Sequence, residues 1–154
     1  MHNCHTHSDC IETALDTAKT ICDGEGLRFT PIRRAVLELV WASHGPIKAY
    51  DILGQLDSSL GSITPPTVYR ALDFLLENGL VHKLNSLNAY VGCSHPHQHS
   101  ECYFLICSDC GEAMECCNKG LVDAIAKTGR QNNFKPKYIT LEINGECGDC
   151  QGRH

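Results

Sequence analysis

The sequence predicts an α+β protein, an N-terminal winged helix-turn-helix followed by a small α/β unit. Three observations predict it. Three or four amphipathic helical stretches fill the chain up to Gly79, two short strands joined by a polar turn follow them, and after Cys93 the composition turns rich in Cys and His. Helices followed by a hairpin make the winged-helix arrangement. At 154 residues the chain has room for one ordinary domain or two small ones. With 42% hydrophobic and 20% charged residues it is globular rather than disordered.

Residues 1–10 carry His2, Cys4, His5, His7 and Cys10 with little apolar content. They read as a flexible tail that either holds metal loosely or does nothing. Ile11, Ala14, Leu15, Ala18 and Ile21 recur at helical spacing, which predicts a helix to about Cys22, ended by Gly24 and Gly26. Thr30-Pro31 opens a second helix with an N-cap threonine and a first-turn proline, its inner face Ala35, Val36, Leu39 and Val40. Gly45-Pro46 closes it. A short third helix runs from Lys48 to about Leu56. In the fourth, Thr64 caps, Pro65 and Pro66 occupy the first turn, and Gly79 stops the chain. Val68, Ala71, Leu72, Leu75 and Leu76 form its buried stripe, leaving Thr67, Tyr69, Arg70 and Asp73 outward.

Strands over Leu80–Leu84 and Ala89–Gly92 flank the turn Asn85-Ser86-Leu87-Asn88. Ser94 to Ser100 reads as a His-rich loop. Beyond it the pattern predicts strands over Tyr103–Ile106, Ala113–Cys116 and Tyr138–Ile143, with a helix over Gly120–Thr128. A unit of about sixty residues usually needs a metal or an oligomer partner to be stable.

No apolar run is long enough to span a membrane, and the polar N-terminus lacks a signal-peptide core. The expected location is the cytoplasm, where thiols stay reduced. Eleven cysteines there point to metal or redox chemistry, and an odd count argues against a simple disulfide framework. The formal net charge of −5 runs against nucleic-acid binding, and each half of the chain, split at residue 85, is acidic. Locally the balance reverses: Arg28, Arg33, Arg34 and Lys48 outnumber Glu38 between Leu27 and Lys48.

Cys107-Ser108-Asp109-Cys110 and Cys147-Gly148-Asp149-Cys150 are two C-x-x-C knuckles. Two intervening residues let both sulfurs reach one ion, and two pairs supply four thiolates in a tetrahedron. A closed four-sulfur site has no open position, so it is structural. The competing redox reading lacks a βαβ pattern around the first knuckle and does not explain the second. The 36 residues between the knuckles must fold on their own account. Cys102 and Cys117 read as buried small hydrophobes, and adjacent Cys116 and Cys117 are poorly placed to chelate one ion together. His82, Cys93, His95, His97, His99 and Glu115 remain for a second metal site, gathered where one unit hands over to the next.

Pro65-Pro66-Thr67-Val68-Tyr69-Arg70-Ala71-Leu72-Asp73-Phe74-Leu75, then Gly79-Leu80-Val81-His82-Lys83, resembles the ferric uptake regulator family, and within it the zinc uptake regulators. The likeness covers residues 12 to 150 and includes Thr30-Pro31 with Arg33, Ala49-Tyr50-Asp51 and both knuckles. It implies a homodimer in which a winged helix is followed by an α/β dimerisation domain. The domain plan becomes a tail over 1–10, a winged helix over 11–92, a hinge and metal-binding loop over 93–101, and a dimerisation domain with structural zinc over 102–154. The resemblance implies two zinc ions per chain, one at the knuckles and one regulatory. The regulatory ligands it implies are His82, Cys93, one loop histidine and Glu115. His99, nearest the strand, is the favoured histidine, His97 the alternative and His95 last. A soft thiolate in this set favours zinc.

For DNA, the resemblance places Tyr69 and Arg70 at base edges in the major groove, and Thr67, outward on the same helix, is a further DNA-binding candidate. Arginine pairs with guanine there and tyrosine meets a thymine methyl. Arg28, Arg33, Lys48 and Tyr50 are candidates for phosphate or minor-groove contacts. The expected function is a zinc-responsive repressor of zinc uptake genes that binds operator DNA, with no membrane partner, no small-molecule substrate and no enzymatic activity. The alternative is an iron- or manganese-responsive regulator of the same family. A zinc hydrolase or thiol oxidoreductase would need one of the four ligands as a general base, and no substrate-pocket motif supports it. A metal buffer would explain the tail but not Tyr69-Arg70.

Overall fold

The computed structural model describes residues 7–153, and the chain divides into two compact units, one ending at Ser94 and the other beginning at His95. His2, Cys4 and His5 of the expected tail lie outside the described residues.

In the first unit, helix α1 spans His7–Glu25, α2 Pro31–Ala42, α3 Ala49–Leu60 and α4 Pro65–Glu77. Strands β1 (Val81–Leu84) and β2 (Ala89–Gly92) pair antiparallel, Val81 opposite Gly92 and Leu84 opposite Ala89. The helical stripes meet in one apolar core that includes Leu15 and Ala18 of α1, Val36 and Val40 of α2, Ile52 of α3, and Leu72 and Leu75 of α4. Thr30 caps α2 as expected, its hydroxyl accepting from Arg33 N–H at 3.4 Å. Thr64 does not cap α4 with its side chain; its hydroxyl lies 2.9 Å from that of Thr67 instead. The far end of α4 closes on Gly79, at φ 69°. Gly79 N–H donates to Leu76 O and Leu80 N–H to Leu75 O, the paired bonds of a glycine C-cap, and the chain leaves directly into β1.

The expected tail is one turn too long. His7, Ser8, Asp9 and Cys10 extend α1, with Asp9 complementing the positive end of the helix dipole. His7 Nε2 lies 3.1 Å from the Ala42 carbonyl oxygen, and its ring stacks on His44 at 4.9 Å.

The hairpin is anchored at both ends. Ile47 and Tyr90 exchange backbone hydrogen bonds of 3.0 and 2.8 Å, tying β2 to the α2–α3 connection. At the end of β2, Gly92 lies under the indole of Trp41, where an added Cβ would fall 2.3 Å from Cε2. Gly92→Ala is therefore expected to cost about 1–3 kcal/mol of stability through overpacking. Thermal unfolding checks it, and an unchanged midpoint would mean that the indole gives way freely.

The second unit opens with a 3-10 turn over Pro96–Glu101, where a plain loop was expected. Strands β3 (Cys102–Cys107), β4 (Ala113–Cys117) and β5 (Glu142–Gly145) form a sheet in the order β4-β3-β5, with β3 antiparallel to β4 and parallel to β5. Helix α5 (Lys119–Gln131) connects β4 to β5, its first turn capped by Asn118, which accepts from Leu121 N–H. A short helix, α6 (Gly148–Gln151), was not anticipated.

Two boundaries need correction. The last strand is Glu142–Gly145, not Tyr138–Ile143. The apolar alternation of Ile139, Leu141 and Ile143 is present, but β3 offers partners to β5 only from Phe104 to Cys107, so regular pairing begins at Glu142. The expected hinge over 93–101 also divides differently. Cys93 N–H donates to Leu80 O and so belongs to the hairpin, while residues 96–101 form the turn that opens the second unit.

Among the described residues of this unit, the buried apolar side chains are Phe104, Ile106, Cys107 and Cys150, and α5 buries none. Leu105, Met114 and Ile143, neighbours across the three strands, are all exposed on the opposite face.

Candidate metal centres and nucleic-acid face

The knuckles meet at one end of the second unit's sheet. Cys107 is the last residue of β3, and the turn after it closes with Gly111 N–H donating to Cys107 O, Gly111 itself at φ 74°. Because β5 runs parallel to β3, it delivers the second knuckle to the same end, with Ser108 N–H donating to Gly145 O at 2.8 Å. The sulfurs of Cys107, Cys110, Cys147 and Cys150 all lie within 4.8 Å of one another, and those of Cys110 and Cys147 are 3.8 Å apart. A tetrahedron with zinc–sulfur bonds of about 2.3 Å has sulfur–sulfur edges of about 3.8 Å, so the donor set fits zinc.

The protein also prepares the ligands electrostatically. Backbone N–H groups of Cys110, Cys147 and Asp109 hold the Cys107 thiol down to about 6, the Cys147 N–H donating to its sulfur at 3.3 Å. Cys150 is pushed up to about 12, first by its contact with the Cys147 sulfur and then by desolvation. One thiolate is thus favoured, while further negative charge is opposed until a cation balances it.

Of the expected regulatory ligands, His82 and Cys93 belong to the first unit. His82 sits opposite Val91 in the ladder and Cys93 follows two residues later, so both point to the same side of the hairpin. Both are buried, with their donor atoms within 4.8 Å of each other. His99 and Glu115 belong to the second unit. His99 is half-buried in the 3-10 turn, its carbonyl accepting from Cys102 N–H, whereas His97 is exposed. Glu115 lies opposite Phe104 on β4, its side chain only 6% exposed.

Two features of this region went unread in the sequence. His95, ranked last of the loop histidines, has its Nδ1 3.6 Å from Glu115 Oε1. Cys102 and Cys117, expected as separate small hydrophobes, are joined in a disulfide. They face each other directly across β3 and β4, where cross-strand Cβ atoms come close enough to be bridged. A signal for the pair existed: counting back from the knuckle turn, with Ile106 opposite Ala113, puts Cys102 opposite Cys117.

The predicted DNA residues all belong to the first unit, and most of them are exposed. Tyr69 is 50% exposed and Arg70 is exposed, both on α4, while Thr67 is half-buried. Tyr50 is 82% exposed at the start of α3, next to exposed Lys48. Arg28 is exposed just before α2. Arg33 differs from these. Its guanidinium lies over the Phe74 ring at 3.6 Å and donates to the Arg28 carbonyl, so it braces α2 against α4 and fixes the backbone of Arg28. Its remaining donors are all it has to offer a phosphate. No helix among the described residues is long and apolar enough to cross a membrane.

Comparison with known proteins gives consistent matches. The profile of the ferric uptake regulator family matches residues 24–144. The zinc uptake regulation protein of Escherichia coli (strain K12) is 41% identical over 138 residues, covering 88% of this chain and 80% of the relative. Among solved structures, a zinc uptake regulator complexed with zinc and DNA superposes with a TM-score of 0.87 at 38% identity, covering 93% of this chain and 96% of that one. Holo XcZur superposes at 0.83 with 40% identity, covering 90% and 96%.

Proposed function

The chain belongs to the ferric uptake regulator family, and we propose that it is a zinc-responsive transcriptional repressor, a homodimer that holds operator DNA when its regulatory site is filled and so controls genes for zinc uptake. The observation that carries the choice of metal is the buried pair His82 and Cys93 on one side of the hairpin. An imidazole beside a thiol is a borderline-to-soft donor set that suits zinc better than iron or manganese. The relatives named for zinc uptake regulation, one of them solved with zinc and DNA, support the same reading.

The chain holds two zinc ions in this reading. The structural one takes Cys107, Cys110, Cys147 and Cys150. The regulatory one takes His82, Cys93, His99 and Glu115, with His97 a weaker choice than His99 because it is exposed and His99 is not. Zinc supplies a shared counter-charge that lets thiolate, carboxylate and imidazole converge. The chain supplies two ligands from each unit, so occupancy couples the units and favours the arrangement that binds DNA. No group is left over as a general base in this scheme, which fits a regulator and not a hydrolase.

Tyr69, Arg70 and Thr67 read bases in the major groove, while Arg28, Lys48 and Tyr50 meet the backbone. A dimer presents two such helices to the halves of a palindrome. It also accounts for the exposed Leu105, Met114 and Ile143 and for Leu121, Val122 and Ile125 of α5, none of them fully buried, apolar surface that a second copy would cover. With the whole chain acidic, the local excess of Arg28, Arg33, Arg34 and Lys48 over Glu38 supplies the positive charge that meets phosphates.

The test is operator binding by the purified protein with free zinc buffered across a range, and iron and manganese as controls. Tight binding that follows zinc alone is expected. Binding indifferent to zinc, or driven equally by iron, would remove the zinc-sensor reading.

A further inference from the structure

A second set of donors surrounds the Cys102–Cys117 pair, wholly within the second unit. Cys117 Sγ lies 3.6 Å from His95 Nδ1 and 3.9 Å from Glu115 Oε1, and those two atoms are themselves 3.6 Å apart. A Glu115 oxygen is also within 4.8 Å of the Cys102 sulfur. A disulfide that merely stapled the hairpin would need no imidazole beside it, and His95 is a loop histidine that the regulatory set leaves unused.

We propose that this cluster is a redox-gated zinc site, in which reduced Cys102 and Cys117, with His95 and Glu115, bind a third zinc ion that oxidation of the pair expels. The donors are two sulfurs, one nitrogen and one oxygen, a closed tetrahedral set of the structural kind. With bonds of about 2.0–2.3 Å, the edges among Cys117, His95 and Glu115 fall near the separations observed here, and the Cys102 sulfur takes the fourth corner once the S–S bond opens. Disulfide sulfurs are poor ligands and thiolates are strong ones, so the oxidation state of the pair decides occupancy.

The chemistry balances through thiol–disulfide exchange with an external dithiol. The dithiol gives two electrons and two protons, the Cys102–Cys117 S–S bond breaks to two thiols, and the reductant becomes a disulfide. Zinc binding then releases the two thiol protons to water. In the reverse direction an external disulfide takes the two electrons from the thiolates and two protons from water to become a dithiol, the Cys102–Cys117 S–S bond re-forms and the zinc leaves. The proposal rests on the zinc-sensor reading only in sharing Glu115, through which thiol redox state would reach the regulatory site.

The experiment uses the full chain carrying Cys93→Ser, with zinc retained at the knuckles, titrated with cobalt(II) in reduced and oxidised form. The reduced protein is expected to develop thiolate-to-cobalt charge-transfer absorption in the near ultraviolet, and the oxidised protein none. Adding Cys102→Ser with Cys117→Ser should abolish the band, and His95→Ala, a change at an exposed side chain, should weaken cobalt binding. Retention of knuckle zinc in each variant reports that the unit is folded. No band in the reduced Cys93→Ser protein, or a band that survives loss of both cysteines, would overturn the proposal. Zinc-dependent operator binding by the unmodified chain is read separately, so failure here and failure of the sensor reading are distinguishable.

Discussion

Cys93→Ser is expected to abolish zinc-dependent operator binding while the knuckle zinc stays in place. The backbone at Cys93 is fixed by its N–H bond to Leu80 O, and the side chain is 3% exposed on the same side of the hairpin as His82. Serine fits the space, so the hairpin should keep its pairing and the unit its stability. What is lost is the thiolate, replaced by a hydroxyl that does not ionise near neutral pH. Changes in the outer shell of a metal site already cost about 10–100-fold in affinity, and removing a ligand should exceed that. Operator affinity at a free zinc level that saturates the unmodified protein should then fall to its metal-free value. The check pairs zinc stoichiometry with DNA binding in zinc buffers. A variant that still holds one zinc per chain but no longer responds supports the assignment. A variant that responds at the same free zinc as before would remove Cys93 from the regulatory site.

The first unit was legible because its signals are local. Thr30-Pro31, Pro65-Pro66 and Gly79 punctuate helices whose apolar stripes do become the core, and the hairpin falls where alternation and the polar turn place it. Where the reading erred, the deciding contact is distant in sequence. His7 joins α1 and docks on the end of α2, some 35 residues away. The last strand shifted to Glu142–Gly145 because β3, not the strand's own alternation, sets where pairing can occur. Among the candidate ligands, the knuckles announce themselves by spacing. His95 against Glu115 and the Cys102–Cys117 disulfide depend on the β3–β4 register, which only the knuckle turn fixes. The packing of Arg33 over Phe74 and its bond to the Arg28 carbonyl were likewise out of reach of the sequence, which offered it only as a phosphate or minor-groove candidate.

Loss of the knuckle zinc, whether by Cys150→Ser or by a strong chelator, should unfold the second unit and leave the first intact. Two of the second unit's four buried apolar residues among those described, Cys107 and Cys150, belong to the four-sulfur cluster itself, and α5 contributes none. Structural zinc brings an apparent ~10–16 kcal/mol of binding free energy that counts as folding free energy. Whole domains are stable by only about 5–15 kcal/mol, so a unit this thinly packed cannot replace that contribution. The first unit has its own core across four helices and the hairpin, with no knuckle cysteine in it. Hydrogen exchange resolved along the chain is the appropriate measurement. Protection should vanish over residues 102–151 and persist over 31–92. The prediction fails if the zinc-free second unit keeps its protection, because the sheet would then be stable without the ion. It also fails if both units lose protection together, because the first unit's core would then depend on a metal it does not touch. Dimerisation should disappear with the second unit, and operator binding with it, even though Tyr69 and Arg70 remain on a folded α4.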